Sequence, residues 1–412
     1  MVLGCAERPS SQPQPQATEP SPNASILPAP LASELEPPPK PVRPSVKVVL
    51  DAGLDAGPAL PEVIRQDQAL EPDEVQREGP SLRLTTELRW LDLPPFPRLP
   101  EVNVEAAQRL RDSLSFALQI ELTSGGRLRA VFDSEAFVLP AGTELRARDD
   151  HSGHILLWDA TRKYTTVAPG TLRALLSEQR LDAAPVTKPK VTEAGTGNLL
   201  GMATRKRELT TPLGRMVLEQ VSSNAAGGSG AGALLCRMLL ELIAADPSNV
   251  ACAKRELPLR AELFSSGGGR VLFEVQRIQK DGALDSTAFL TPPAEAEFVI
   301  GELPAHPSPV VPSPERLREL RTRPAPRSER VDPQAPKHGL LLQNRTESLR
   351  YVLLDGIVLA RIHPRREALV EGLLPGKYAL ASLDFLGDDP TPLRIVELPA
   401  RVALGEAIET ER

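Results

Sequence analysis

The chain has 412 residues, 41% hydrophobic and 25% charged, the proportions of a soluble globular protein long enough for two or three domains. Its 43 prolines and 3% aromatic content depart from that average, and its net charge of −6 is concentrated in one place. Residues 1–80 hold 16 of the prolines, no aromatic residue, and 12 acidic against 6 basic residues, which leaves 42 of each sign for the rest of the chain. A neutral body argues against a dedicated nucleic-acid binder, and the acidic tail argues against electrostatic attraction to anionic membrane. No run of about 18 apolar residues occurs, so nothing reads as a transmembrane helix.

The first feature in chain order is Val2-Leu3-Gly4-Cys5. It resembles a bacterial lipobox, in which an aliphatic residue leads, a small residue precedes the cysteine, and the cysteine carries acyl chains after cleavage. The apolar segment that precedes a lipobox is not in the sequence; a start codon further upstream would supply it. Residues 6–80 are expected to be a disordered tether, because Pro-Gln-Pro-Gln and Pro37-Pro38-Pro39-Lys40-Pro41 favour polyproline II and the composition offers little surface to bury. The resemblance implies a lipid anchor at Cys5 and an address on the periplasmic side of the outer membrane or the cell surface. Taking the start as written implies a cytoplasmic protein instead. The two remaining cysteines, Cys236 and Cys252, are an even pair that an oxidising periplasm would join; in a cytosolic protein they would be buried thiols.

Residues 81–303 read as a β-rich domain. Leu82, Leu84, Thr86, Leu88 and Trp90 alternate with polar residues, as do Phe116, Leu118, Ile120 and Leu122, which predicts half-buried strands. Hairpins are predicted around Ser124-Gly125-Gly126, around 149–153 between strands 143–148 and 154–158, and around Gly267-Gly268-Gly269 between strands 256–264 and 270–278. Further strands are expected near 162–167 and 206–221. A short helix follows Pro169-Gly170-Thr171, and a stronger one over 231–245 carries Leu234, Leu235, Met238, Leu239, Leu242 and Ile243 as one apolar stripe, stopped by Asp246-Pro247. The whole predicts a mainly β fold with minor α: an antiparallel, curled sheet packed on one helix. In outline this resembles the half-barrel of periplasmic lipoprotein carriers, and that resemblance implies a lipid or amphiphile pocket beneath the helix.

The only local cluster of metal-capable side chains is His151 and His154 with Asp149, Asp150 and Asp159. Two histidines and carboxylates at such spacing suit Zn²⁺ and a metal-dependent hydrolase; the plainer reading is a polar hairpin turn. The glycine run 227–232 before the strong helix lacks the Lys-Ser/Thr of a phosphate-binding loop and reads as a flexible entry. No catalytic residue, metal or cofactor is assigned.

Residues 304–337, with nine prolines, are expected to be a linker, with a short helical start at Ser313-Pro314; six Arg against three Glu over 315–330 make it locally basic. Residues 338–412 are expected to form a small C-terminal β-sandwich. Leu354-Asp355-Gly356 and Leu373-Leu374-Pro375-Gly376-Lys377-Tyr378 resemble the turns of PEGA-type modules of bacterial envelope proteins, although Arg361-Ile362-His363-Pro364 stands where the naming tetrapeptide would be. That resemblance implies a non-catalytic module facing envelope proteins or cell-wall polymers. The expected protein is therefore a tethered, non-catalytic envelope lipoprotein that binds or scaffolds; the alternatives are a periplasmic lipid carrier and a metal-dependent hydrolase centred on 149–159.

Overall fold

The computed structural model describes residues 81–90, 103–134, 138–150, 153–158, 162–178, 180–226, 231–249, 252, 255–265, 270–280, 295–304, 309–320, 336–388 and 390–405. The tail over 1–80 with Cys5, His151, Asp159 and most of the glycine run lie outside the described residues. In chain order the first elements are β1 (Ser81–Trp90), α1 (Val104–Asp112), β2 (Phe116–Thr123), β3 (Arg127–Phe132), β4 (Glu144–Arg148), β5 (His154–Trp158), β6 (Lys163–Val167) and α2 (Leu172–Glu178). They are followed by β7 (Lys190–Leu199), β8 (Met202–Thr211), β9 (Gly214–Ser222), α3 (Ser223–Ala226), α4 (Gly232–Glu241), β10 (Glu256–Ser265), β11 (Arg270–Lys280) and the two-residue β12 (Glu297–Phe298).

These twelve strands form one sheet in the order β12-β6-β5-β4-β3-β2-β1-β11-β10-β9-β8-β7. Neighbours are antiparallel except at the end where β12 lies parallel to β6. The period-two pattern sets its faces: Leu82, Leu84 and Leu88 of β1 join Phe116, Leu118, Ile120 and Leu122 of β2 in one core, and Arg83, Glu121, Arg129 and Glu144 take the other face. Strand formation lets each half-buried residue pair its backbone while its apolar side chain leaves water.

Three expectations are corrected. The strand expected over 206–221 is two strands, β8 and β9, because Thr211 reverses the chain: its Oγ1 accepts from Leu213 N and donates to Ile243 O at 2.7 Å. The helix expected over 231–245 ends at Glu241, before Asp246-Pro247. It closes by a Schellman motif: Ala244 sits at φ +47°, its N–H donates to Glu241 O, and Ala245 N–H donates to Leu240 O. Helix α1 was not expected. Asn103 caps it by accepting from Glu105 N and Ala106 N at 3.1 and 3.2 Å, and Ala106, Ala107 and Leu110 form its buried stripe.

The C-terminal elements are α5 (Pro314–Arg318), β13 (Leu340–Asn344), β14 (Arg350–Leu354), β15 (Ile357–Ile362), β16 (Glu367–Val370), β17 (Gly376–Leu383), β18 (Arg394–Leu398) and β19 (Ala400–Leu404). They make a three-stranded sheet β16-β13-β19 and a four-stranded sheet β15-β14-β17-β18, whose facing residues share one core. Asp355 and Gly356 both have positive φ, 52° and 77°, the tight turn expected of Asp-Gly between β14 and β15. The Asp355 side chain also accepts from Ala379 N at 2.8 Å, which ties that turn to β17. Tyr378 Oη donates to Leu374 O at 2.6 Å across the Pro-Gly corner. Within the Pro-rich stretch before the sandwich, Leu317 and Leu320 are buried in its core and Val310 pairs with Arg361.

Candidate functional site

Four of the residues singled out in the sequence, Cys236, Cys252, Asp149 and His154, converge on α4. Its apolar stripe is buried against the sheet, with Leu240 and Ile243 fully covered and the helix packed on β10 and β3. A disulfide and polar side chains then pin its middle and its C-terminal end. Cys236 and Cys252 have Cα atoms 5.6 Å apart with their sulfurs joined, which ties the helix to the connection entering β10. At Gly232 the backbone lies so close to β10 that a Cβ there would stand 2.3 Å from Glu256 O, so only glycine permits this approach.

Of the metal-capable cluster's described residues, Asp149 and His154 are engaged by the same helix, and Asp150 is exposed and pairs with Arg148. Asp149 forms an ion pair with Arg237, and His154 Nε2 lies 2.9 Å from Glu241 Oε1. The other Glu241 oxygen accepts from Leu172 N, at the first turn of α2, at 3.3 Å. His154 Nδ1 is buried without a hydrogen-bond partner among the described residues. Among the described residues no three His, Cys, Asp or Glu side chains gather around a possible metal position. Asp149 and His154 therefore serve here as anchors for the middle and the C-terminal end of a helix. Arg237 and Glu241 were missed in the sequence. Their signal was legible: two opposite charges four residues apart, flanking an otherwise apolar helix.

The opposite face of the sheet carries a cross-strand ladder of charge. Arg83 of β1 pairs with Glu121 of β2 at 2.7 Å, Glu121 with Arg129 of β3 at 2.8 Å, Arg129 with Glu144 of β4 at 2.5 Å, and Glu144 with Arg146 at 2.8 Å. Burial by itself would push the Glu144 carboxyl up; the Arg129 and Arg146 guanidiniums outweigh it and hold the group below the usual carboxylate range. Register places Arg83 opposite Glu121 and Glu121 opposite Arg129; Arg129 faces Arg146 across the next pair of strands and reaches Glu144 diagonally, so one carboxylate lies between two guanidiniums.

The sandwich shares the central core. Tyr351, Leu353, Val358, Leu383, Phe385 and Leu386 are buried in the same cluster as the β1–β11 residues, and the Phe385 ring lies 5.9 Å from those of Phe116 and Tyr351. Arg173 of α2 reaches both Leu242 O, just past α4, and Asp388 of the β17–β18 connection. Burial pulls the Arg173 guanidinium below its usual value against the attraction of Asp384.

No family model matches this chain, and no curated protein does. Among solved structures it is similar to an uncharacterized conserved protein from Thermus thermophilus at 10% identity, covering 55% of this chain and 95% of that one, with TM-score 0.28. It is also similar to a putative outer membrane lipoprotein-sorting protein domain from Vibrio parahaemolyticus, at 12% identity, 53% and 93% coverage and TM-score 0.24. A third likeness is to the complex of Pseudomonas aeruginosa MucA/MucB, at 11% identity, 77% coverage of each chain and TM-score 0.24. Likenesses of this size fix neither fold nor function.

Proposed function

We propose that this chain is an envelope lipoprotein that works outside the cytoplasm as a non-catalytic binding protein, held by a lipid anchor at Cys5 and a proline-rich tether. The observation that carries the reading is the joined pair Cys236–Cys252, since a structural disulfide persists in an oxidising compartment and is rare in the cytosol. The lipobox-like Val2-Leu3-Gly4-Cys5 and the acidic, aromatic-free stretch behind it supply the anchor and the spacer. The sandwich with its PEGA-like turns supplies a second surface toward envelope proteins or cell-wall polymers.

Carriage of lipid is the second reading, favoured by the placement of α4. The helix touches β10 at Gly232 and β5 through Glu241, six strand steps apart in the sheet. On a flat sheet those steps cover about 29 Å, whereas nine residue rises of helix cover about 14 Å. That mismatch supports a sheet curled around the helix. Leu234, Leu235, Met238 and Leu239 of α4 are buried, so a carrier would have to lift α4 away against a disulfide, the Arg237–Asp149 ion pair and the His154–Glu241 hydrogen bond.

The test is the intact mass of the protein isolated from its native cells. Added acyl mass at Cys5 and a deficit of two hydrogens are the expected result. An unacylated chain with free thiols overturns the reading. Extractable lipid on the same sample would move it from binding to carriage.

A further inference from the structure

We propose that the cleft at one end of the sandwich, lined by Gln343, Asn344, Arg345, Arg365, Arg366 and Glu367, binds a phosphate-type oxyanion through its arginines. The inference is independent of the lipoprotein reading.

The floor of the cleft is rigid. Asn344 is 2% exposed, and its amide donates to Ser348 O, Ile362 O and His363 O at 2.8, 3.0 and 3.1 Å. Its Oδ1 accepts from Thr346 N at 3.0 Å and Thr346 Oγ1 at 2.7 Å. One buried side chain thus joins the turn after β13 to the turn between β15 and β16. A backbone bond completes the join, Asn344 N to Arg366 O at 2.9 Å, and Arg345 N donates to Leu404 O of β19 at 3.1 Å. Arg345 stands on one of these turns, and Arg365 and Arg366 on the other. Arg365 is held at φ +56°, a conformation that residues with a Cβ adopt only at a cost.

Charge at this end is unbalanced. Three arginines, Arg345, Arg365 and Arg366, line the cleft with one carboxylate, Glu367. Glu347 is taken by Arg365, and Glu367 accepts from the Gln343 amide at 3.0 Å. Arg366 is exposed and has no side-chain partner among the described residues. Guanidinium forks match the oxygens of phosphate in pairs. The cleft is about 250 Å³, below the roughly 300–1,000 Å³ of sites for drug-sized ligands, and suits a small headgroup.

The experiment is calorimetric titration of the full chain with inorganic pyrophosphate at low ionic strength. A second arm sediments the protein with phosphatidylcholine vesicles with and without phosphatidylglycerol. Saturable pyrophosphate binding is expected, weakened about tenfold by Arg345→Ala and by Arg366→Ala, and unchanged by Arg109→Ala on a remote helix. Co-sedimentation with phosphatidylglycerol vesicles that pyrophosphate reverses assigns the site to a lipid headgroup; pyrophosphate binding without vesicle binding assigns it to soluble phosphate. Absence of saturable binding, or an unchanged affinity in the Arg345→Ala/Arg366→Ala double variant, overturns the proposal. Should an alanine variant fail to fold, Arg366→Gln, which keeps the stem and loses the charge, decides between the two outcomes.

Discussion

The central sheet and the end of the sandwich handle arginine in opposite ways. On the sheet, Arg83, Arg129 and Arg146 interleave with Glu121 and Glu144 through direct and diagonal contacts, and each charge is answered by its neighbour. At the sandwich end, arginines on two turns are brought together by backbone and amide bonds; Arg365 pairs with Glu347, and the Glu367 carboxylate accepts from Gln343. The difference teaches that a neutral body need not be locally neutral. Pairing within a sheet uses charge for structure, whereas loops joined by a buried amide gather arginines around a cleft.

The comparison breaks most sharply if the central core is hollowed. Leu240→Ala, at a fully covered position on α4, is expected to lower stability by about 4 kcal/mol in chemical denaturation. Because Tyr351 and Phe385 share that core, hydrogen exchange over β17 should accelerate together with that over β2. Protection retained in β17 alone would show that the two regions unfold separately.

Removing a ladder charge is the next effect. Glu144→Gln leaves Arg146 and Arg129 without their shared carboxylate and should cost about 3 kcal/mol at neutral pH. Since the folded Glu144 carboxyl lies below its unfolded value of about 4.3, its contribution is present above that pH and fades as pH falls through the folded value. Urea midpoints measured from pH 7 down to 3 should therefore converge for wild type and variant. Parallel curves would mean that the ladder does not carry the charge assigned to it.

The smallest effect sharpens the picture of the clamp. Ala244→Gly relieves a left-handed Cβ at the end of α4 and should raise stability by about 1 kcal/mol, read as an upward shift in Tm. A loss of stability would mean that the terminus is not a Schellman cap.

Much of the fold was legible because it depends on local pattern. Alternation marked β1, β2 and β3, Gly-containing turns marked the hairpins, and Asp355-Gly356 marked the joint between β14 and β15. Strand β7 was not legible: its residues are almost all exposed, so no apolar alternation distinguishes it, and it is held by pairing with β8. Strand β19 was hidden behind Pro399, and its parallel partner β13 lies some sixty positions upstream. Asn103 and the Ala106, Ala107, Leu110 spacing did announce α1, and the Pro-rich setting concealed it.

The sequence by itself determined the β-rich character, the apolar helix and the acidic proline-rich tail, because strand period, helix stripe and composition act over a few residues. Tertiary structure alone decided what the polar residues do. Asp149 and His154 anchor α4 because Arg237 and Glu241 meet them from far along the chain, and Asn344 joins two turns only once the sandwich closes. The physical reason is that a charged or amide side chain takes its role from the partner that satisfies it on burial, and long-range pairing chooses that partner.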